Sequence, residues 1–193
     1  SGLLTAADNA NQVQGVIAHE LGHIAGGHAI RINEGAKQGT AISILSLVLG
    51  GLAMAAGAGD AAMGVMAAGQ QAALGSFLAF TRSQETSADL AGASYLSRAG
   101  ISGKGSIQFF KKLQNQEYRL AIYATDSYNR THPLSSERIA SLQEVYQKDP
   151  AWNRPTDPKV EAAFQRVRAK LIGYISEPNL VLRNYPTSDT SIP

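Results

Sequence analysis

The 193-residue chain has 17 basic and 15 acidic residues, four histidines, no cysteine and a hydrophobic share of 44%, which suits one globular core. A formal charge of +2, with no basic cluster or aromatic stacking set, argues against a nucleic-acid binder. The missing cysteines exclude disulfides and thiolate zinc sites and leave the compartment open.

Residues 9–30 read as one long helix carrying the run HELGH, His19 to His23. Two histidines four apart leave the same helix face about one turn from each other, as two ligands of one tetrahedral metal must. Glu20 is rotated by roughly 100° from His19, close enough to act on a metal-bound water without binding the metal. Gly15, Gly22 and Gly26 fall on the metal side. Each glycine costs about 1 kcal/mol against alanine in a helix interior, so the stripe predicts close approach of another backbone or a ligand. Val13, Val16, Ile17, Leu21 and Ile24 form the expected core face, and the helix is expected to be buried nearly all round. His28 projects among these core positions and reads as a hydrogen-bonded core or helix-end histidine.

From Gln38 to Thr81 the only charged residue is Asp60, and residues 40–59 are apolar or small throughout. That length suits a membrane span of about 20 residues. Alanine and glycine dominate after Gly50, however, and Gln70 and Gln71 interrupt the second half. The expectation is a soluble helical hairpin acting as a pliable lid over an active site. Residues 40–80 would make a peripheral membrane contact or self-associate through exposed apolar surface.

Residues 82–98 form a further predicted helix, with Ser83 as its cap and Gly100 as its stop. A catalytic zinc needs a third protein ligand, and with no cysteine and two other histidines the best candidate is Glu85. Asp89, one turn on, can accept the free N–H of a ligating histidine and fix its orientation. A helix over residues 104–118, a polar loop over 119–133 and a helix starting near Ser135 follow. Ser135 is the expected cap there, with Leu134 stapling onto Ile139. Pro150, Pro155 and Pro158 mark a break. Val160, Phe164, Val167 and Leu171 then repeat at helical spacing, as core packing requires, and from Glu177 the chain is tail-like. Residues 1–175 are read as one zinc metallopeptidase domain and 176–193 as a tail or linker.

HELGH, the downstream run ETSAD with its Glu85 to Asp89 spacing, and HPLSSER from His132 to Arg138 occur in an order that resembles the gluzincin metallopeptidases. That family includes HtpX, the CAAX prenyl proteases and the periplasmic BepA-type proteases. HELGH alone is shared by many metalloproteases; the ordered triple is far more specific, and the resemblance spans about residues 1–147. It implies a mainly α, zincin-type domain with an active-site helix, a helical lid hairpin and little or no β structure. It also implies one Zn2+ held by His19, His23 and Glu85, with Glu20 as general base and Asp89 behind the ligands. His132 and Arg138 would stand beside the cleft.

Two roles are open for Arg138, stabilising an oxyanion or bracing the site through a carboxylate. The family resemblance further implies that His132 plugs the metal's fourth position in a latent enzyme. The resemblance implies a substrate-aligning strand segment ahead of the zinc helix; only eight residues precede Asn9, so that segment is expected to be missing, and the chain reads as a piece of a longer protein. A C-terminal repeat domain would lie outside it. The expected substrate is a peptide or unfolded protein and the expected setting the bacterial periplasm or cell envelope, in protein quality control. The competing readings are a zinc-binding chaperone or assembly module with latent proteolysis, and a helical interaction protein whose HELGH is accidental.

Overall fold

The computed structural model describes residues 2–120, 132 and 135–186, with residues 116–120 as backbone. Among them every regular element is a helix: α1 (Gly2–Ala6), α2 (Ala10–Ala25), α3 (His28–Ala55), α4 (Gly59–Ala99), α5 (Lys104–Leu120), α6 (Ser136–Gln147), α7 (Pro158–Ile175) and α8 (Pro178–Asn184). The chain divides into two compact units, one of Ser1–Leu21 with Asp89–Pro193 and one of Gly22–Ala88. The expected mainly α architecture is the observed one. Most of the polar loop expected over 119–133, the Leu134 staple and the last seven residues lie outside the described residues.

Local chemistry sets the helix ends. Asn9 caps α2, its Oδ1 accepting from the Gln12 N–H at 2.9 Å, and the Glu161 carboxylate of α7 accepts from the Ala10 N–H at 2.8 Å. Ser135 caps α6 by accepting from the Arg138 N–H at 3.1 Å. Asp157 caps α7 ahead of Pro158, which needs no donor partner at the first helical position. Gly100 ends α4 in the left-handed region, φ 66°. Its own N–H donates to Ser97 O and that of Ile101 to Leu96 O, each at 2.9 Å, a Schellman closure.

Three boundaries differ from expectation. The helix expected over 9–30 divides, because Gly27 takes φ 62° and stops the chain from continuing. The expected start at Ser83 is absent: α4 runs unbroken through it, with no proline between Gly59 and Ala99 to stop it. The expected tail contains the short helix α8, started by Pro178.

The first unit has a core of large side chains. Phe109, Phe110 and Leu113 of α5 pack with Val13 and Val16 of α2, Leu96 of α4, Ile139, Leu142 and Tyr146 of α6, and Phe164 of α7. Of the predicted α7 stripe only Phe164 is buried; Val160 and Val167 are over 40% exposed. The α2 face also differs: Ile17, Leu21 and Ile24 are exposed, while Asn11, Gln12, Ala18 and His19 are buried. Small residues decide which side packs. A Cβ on Gly15 would meet the Ser106 backbone at 2.8 Å, and one on Gly92 would meet the Ala18 backbone at 3.1 Å. Neighbouring chain therefore approaches the small-residue face of α2, with Val13 and Val16 at its edge in the core and Ile17, Leu21 and Ile24 left outside.

The second unit is a helical hairpin of α3 and the first part of α4. Gly57, φ 78°, turns the chain between the arms. Gly35 faces Phe80, Ser46 faces Gly69 and Gly50 faces Met66. Ile44, Leu45, Leu47, Val48 and Leu52 are all at least half exposed. Among the described residues α3 is the one helix long and apolar enough to cross a membrane, and little of it is buried.

Candidate metal centre

Two helices position the predicted ligands. On α2, His19 and His23 are one turn apart; on α4, Glu85 and Asp89 are one turn apart. His19 Nδ1 lies 2.8 Å from Asp89 Oδ1, and His23 Nε2 lies 3.2 Å from Glu85 Oε1. Gly22 permits this approach: a Cβ there would lie 2.5 Å from Ala88 O and 2.8 Å from Ala88 Cα.

His19, Glu85 and Asp89 are nearly inaccessible to solvent. Burial raises the Asp89 pKa, but hydrogen bonds from Arg138 and His19 outweigh it and hold the carboxyl below the ordinary range, ionised at neutral pH. Arg138 Nε donates to Oδ2 at 2.5 Å and Nη2 to Oδ1 at 3.0 Å. Its guanidinium also stands 5.6 Å from the Phe110 ring centroid. Of the two roles left open for Arg138, this two-pronged contact with a carboxylate has the geometry of bracing.

The Asp89 carboxylate is an acceptor only, so the contacting His19 Nδ1 carries the proton and Nε2 keeps the lone pair a metal needs. His132 Nδ1 lies 3.5 Å from that Nε2, with the rings edge to face at 5.4 Å. His132 Nε2 is 3.8 Å from Glu20 Oε1, too far for a hydrogen bond. Glu20 remains partly exposed, with access to solvent.

Each unit brings a pair of candidate ligand atoms together, His23 Nε2 with Glu85 Oε1 in one and His19 Nε2 with His132 Nδ1 in the other. This set fits zinc. Ligands bonded at about 2.0–2.1 Å in a tetrahedron are about 3.4 Å apart. The His23 to Glu85 and His19 to His132 separations, 3.2 and 3.5 Å, bracket that value.

A model of peptidase family M48 matches residues 1–146, about three quarters of the chain. The chain belongs to peptidase family M48. It is 29% identical over 173 residues to the putative beta-barrel assembly-enhancing protease of Vibrio cholerae, covering 90% of this chain and 35% of that protein. It is 26% identical over 191 residues to the beta-barrel assembly-enhancing protease of Escherichia coli K12, covering 98% and 37%. Against the Yersinia pestis protein of the same name the identity is 26% over 147 residues, covering 74% and 29%. The chain thus spans about a third of the length of these curated relatives. The chain has no match among solved structures.

His28 is buried and opens a helix, as expected of a hydrogen-bonded core or helix-end histidine. Its partner was not foreseen, because a helix continued to residue 30 would turn position 28 away from His23. With the break at Gly27, His28 opens α3 and its Nδ1 comes 2.9 Å from His23 Nδ1. Gly26 makes room, since a Cβ there would fall 2.7 Å from His28 Cδ2. The adjacent glycines at 26 and 27 were the available signal, as a pair able to end the helix.

Proposed function

We propose that residues 1–175 form a zinc-dependent endopeptidase domain with His19, His23 and Glu85 as metal ligands and Glu20 as general base. The observation that carries this reading is the opposed pairing of His19 with Asp89 and His23 with Glu85. It supplies two imidazoles and a carboxylate, and it sets the tautomer of one imidazole. Zinc, when bound, lowers the pKa of its water toward 7 and polarises the scissile carbonyl.

The protein's own groups do the rest. Glu20 takes the proton of the attacking water and delivers it to the leaving amine. Asp89 holds the His19 ring in its metal-competent orientation, and Arg138 holds Asp89 while balancing its charge. His132, close to both His19 and Glu20, is placed to interact with the oxyanion when substrate is bound, or to take the fourth metal position in its absence.

Glu20→Gln is the direct test. The variant should bind one zinc per chain and lose cleavage of an unfolded protein by several orders of magnitude. Loss of zinc, or near-normal turnover, would remove Glu20 from the role of base.

A latent form of the enzyme is the second reading, favoured by the 3.5 Å approach of His132 to the His19 nitrogen that would face zinc. It accommodates a chaperone or assembly role with proteolysis held in check. His132→Ala should then raise basal proteolysis; unchanged or lower activity would leave His132 a substrate-binding or structural role. The names of the relatives support work on β-barrel assembly and protein quality control in the bacterial envelope, with peptide or unfolded protein as substrate. The outward apolar face of α3 supports a location at a membrane surface.

A further inference from the structure

We propose that His28 is a positioning residue that orients His23 as a metal ligand, an inference resting on the zinc reading above. Metal-bound imidazoles require their second nitrogen to be held, usually by a carboxylate, carbonyl or water. For His19 that partner is Asp89. For His23 the structure offers His28, whose Nδ1 stands 2.9 Å from His23 Nδ1, with the rings nearly perpendicular at 4.8 Å.

The proton arrangement follows from the contact. His23 presents Nε2 toward Glu85, so its metal-competent tautomer carries the proton on Nδ1. His28 Nδ1 must then accept that proton's hydrogen bond, which places the His28 proton on Nε2. The two rings are linked without adding charge, whereas the Asp89 partner of His19 is anionic. A neutral acceptor on one ligand and a carboxylate on the other limit the negative charge gathered around a set that already contains Glu85.

The backbone is shaped for this contact. Gly27, φ 62°, breaks the helix between α2 and α3, and the residue five positions after His23 comes back into contact with it. An uninterrupted helix would carry position 28 about 140° away from position 23. His28 is buried, and the missing side chain at Gly26 leaves the volume its ring requires.

The test compares the full 193-residue chain with His28→Leu, His28→Asn and Gly26→Ala. Zinc affinity is read by chelator competition, coordination by the d–d bands of the Co2+-loaded protein, and folding by thermal melts without metal. His28→Leu should weaken zinc by about 10- to 100-fold and alter the Co2+ bands. His28→Asn, whose side-chain oxygen can replace the accepting Nδ1, should stay close to wild type. Wild-type affinity in His28→Leu, or an equal loss in His28→Asn, overturns the assignment.

If His28→Leu does not fold, Gly26→Ala decides, because its Cβ displaces the ring without changing its chemistry. Weakened zinc supports positioning, and unchanged zinc overturns it. A wild-type chain that binds no zinc would instead sink the metal reading itself, which separates the two failures.

Discussion

The two compact units bury opposite kinds of residue. In the first, Phe109, Phe110, Leu113, Ile139 and Leu142 are inside, as for a domain built by removing large apolar side chains from water. In the hairpin, Gly35, Ser46, Gly50, Ala62, Gly69 and Ala73 are inside while every leucine, isoleucine and valine of α3 except the half-buried Ile42 is outside. Small residues at a helix seam with large apolar residues outward is the pattern of helices packed in lipid, where close backbone contact provides the attraction. One chain therefore uses two packing rules, and substitutions of opposite size should damage its two units.

The largest effect is expected from deleting volume in the first unit. Phe110→Ala removes a side chain that touches the core, the edge of His19 and the Arg138 guanidinium. It should cost about 3–5 kcal/mol and lower zinc affinity as well, checked by urea unfolding and a zinc titration. Loss of metal affinity without loss of stability would show that Phe110 serves the site alone.

Next comes a contrast within the site. Glu85→Ala should weaken zinc far more than Asp89→Ala, since one removes a ligand and the other an orienting partner worth about 10- to 100-fold. Equal losses in a chelator titration would take Glu85 out of the ligand set.

The hairpin should respond to added volume. Gly69→Leu drives a side chain into Ser46 and should cost about 1–3 kcal/mol, read as lost helicity by circular dichroism. Replacing Leu45, Val48 and Leu52 together by serine should leave folding nearly unchanged and abolish co-flotation with lipid vesicles. If the triple variant instead loses helicity, or floats as the wild type does, the lipid-facing reading of α3 fails.

What could be read in advance was whatever a single helical turn determines. HELGH and the Glu85 to Asp89 spacing fix which residues share a face, so the ligand rows were legible. So was the Gly100 stop, which needs a positive φ. The packing face of α2 was legible only in part: Val13 and Val16 are buried as expected, but Gly15 and Gly92 admit neighbouring chain on the small-residue side while Ile17, Leu21 and Ile24, which share the hydrophobic signal, stay outside. The His23 to His28 contact was hidden for a related reason: it exists only once Gly27 turns the chain. Arg138 was identifiable as part of a motif, but its two-pronged hold on Asp89 joins residues 49 positions apart, a separation at which local periodicity carries no information.

The smallest predicted effect separates the units by charge. In the first unit Lys112 Nζ donates to Asp8 Oδ1 at 2.5 Å and to Ala6 O at 2.7 Å, and the Lys112 hydrogen bond holds the Asp8 pKa below its ordinary 3.8. A carboxylate whose folded pKa is depressed stabilises the fold above the unfolded pKa. That contribution is lost as pH falls through the lower, folded value. Asp8 is 54% exposed, so solvent screening limits the pair to about 0.2–1 kcal/mol. The single tryptophan, Trp152, packs against the first unit's core and reports its unfolding. Asp8→Asn should lower the unfolding free energy read from urea titration at pH 7 by this small amount, and the difference should close as pH falls through the depressed, folded-state pKa of Asp8 or as salt is raised. No such ion pair can form within residues 38–81, where Asp60 is the only charge, so the substitution should leave the hairpin's helicity at pH 7 untouched. A difference that persists at acid pH would mean that Asp8 acts through its hydrogen bonds to Gln12 and the α2 start, not through its charge.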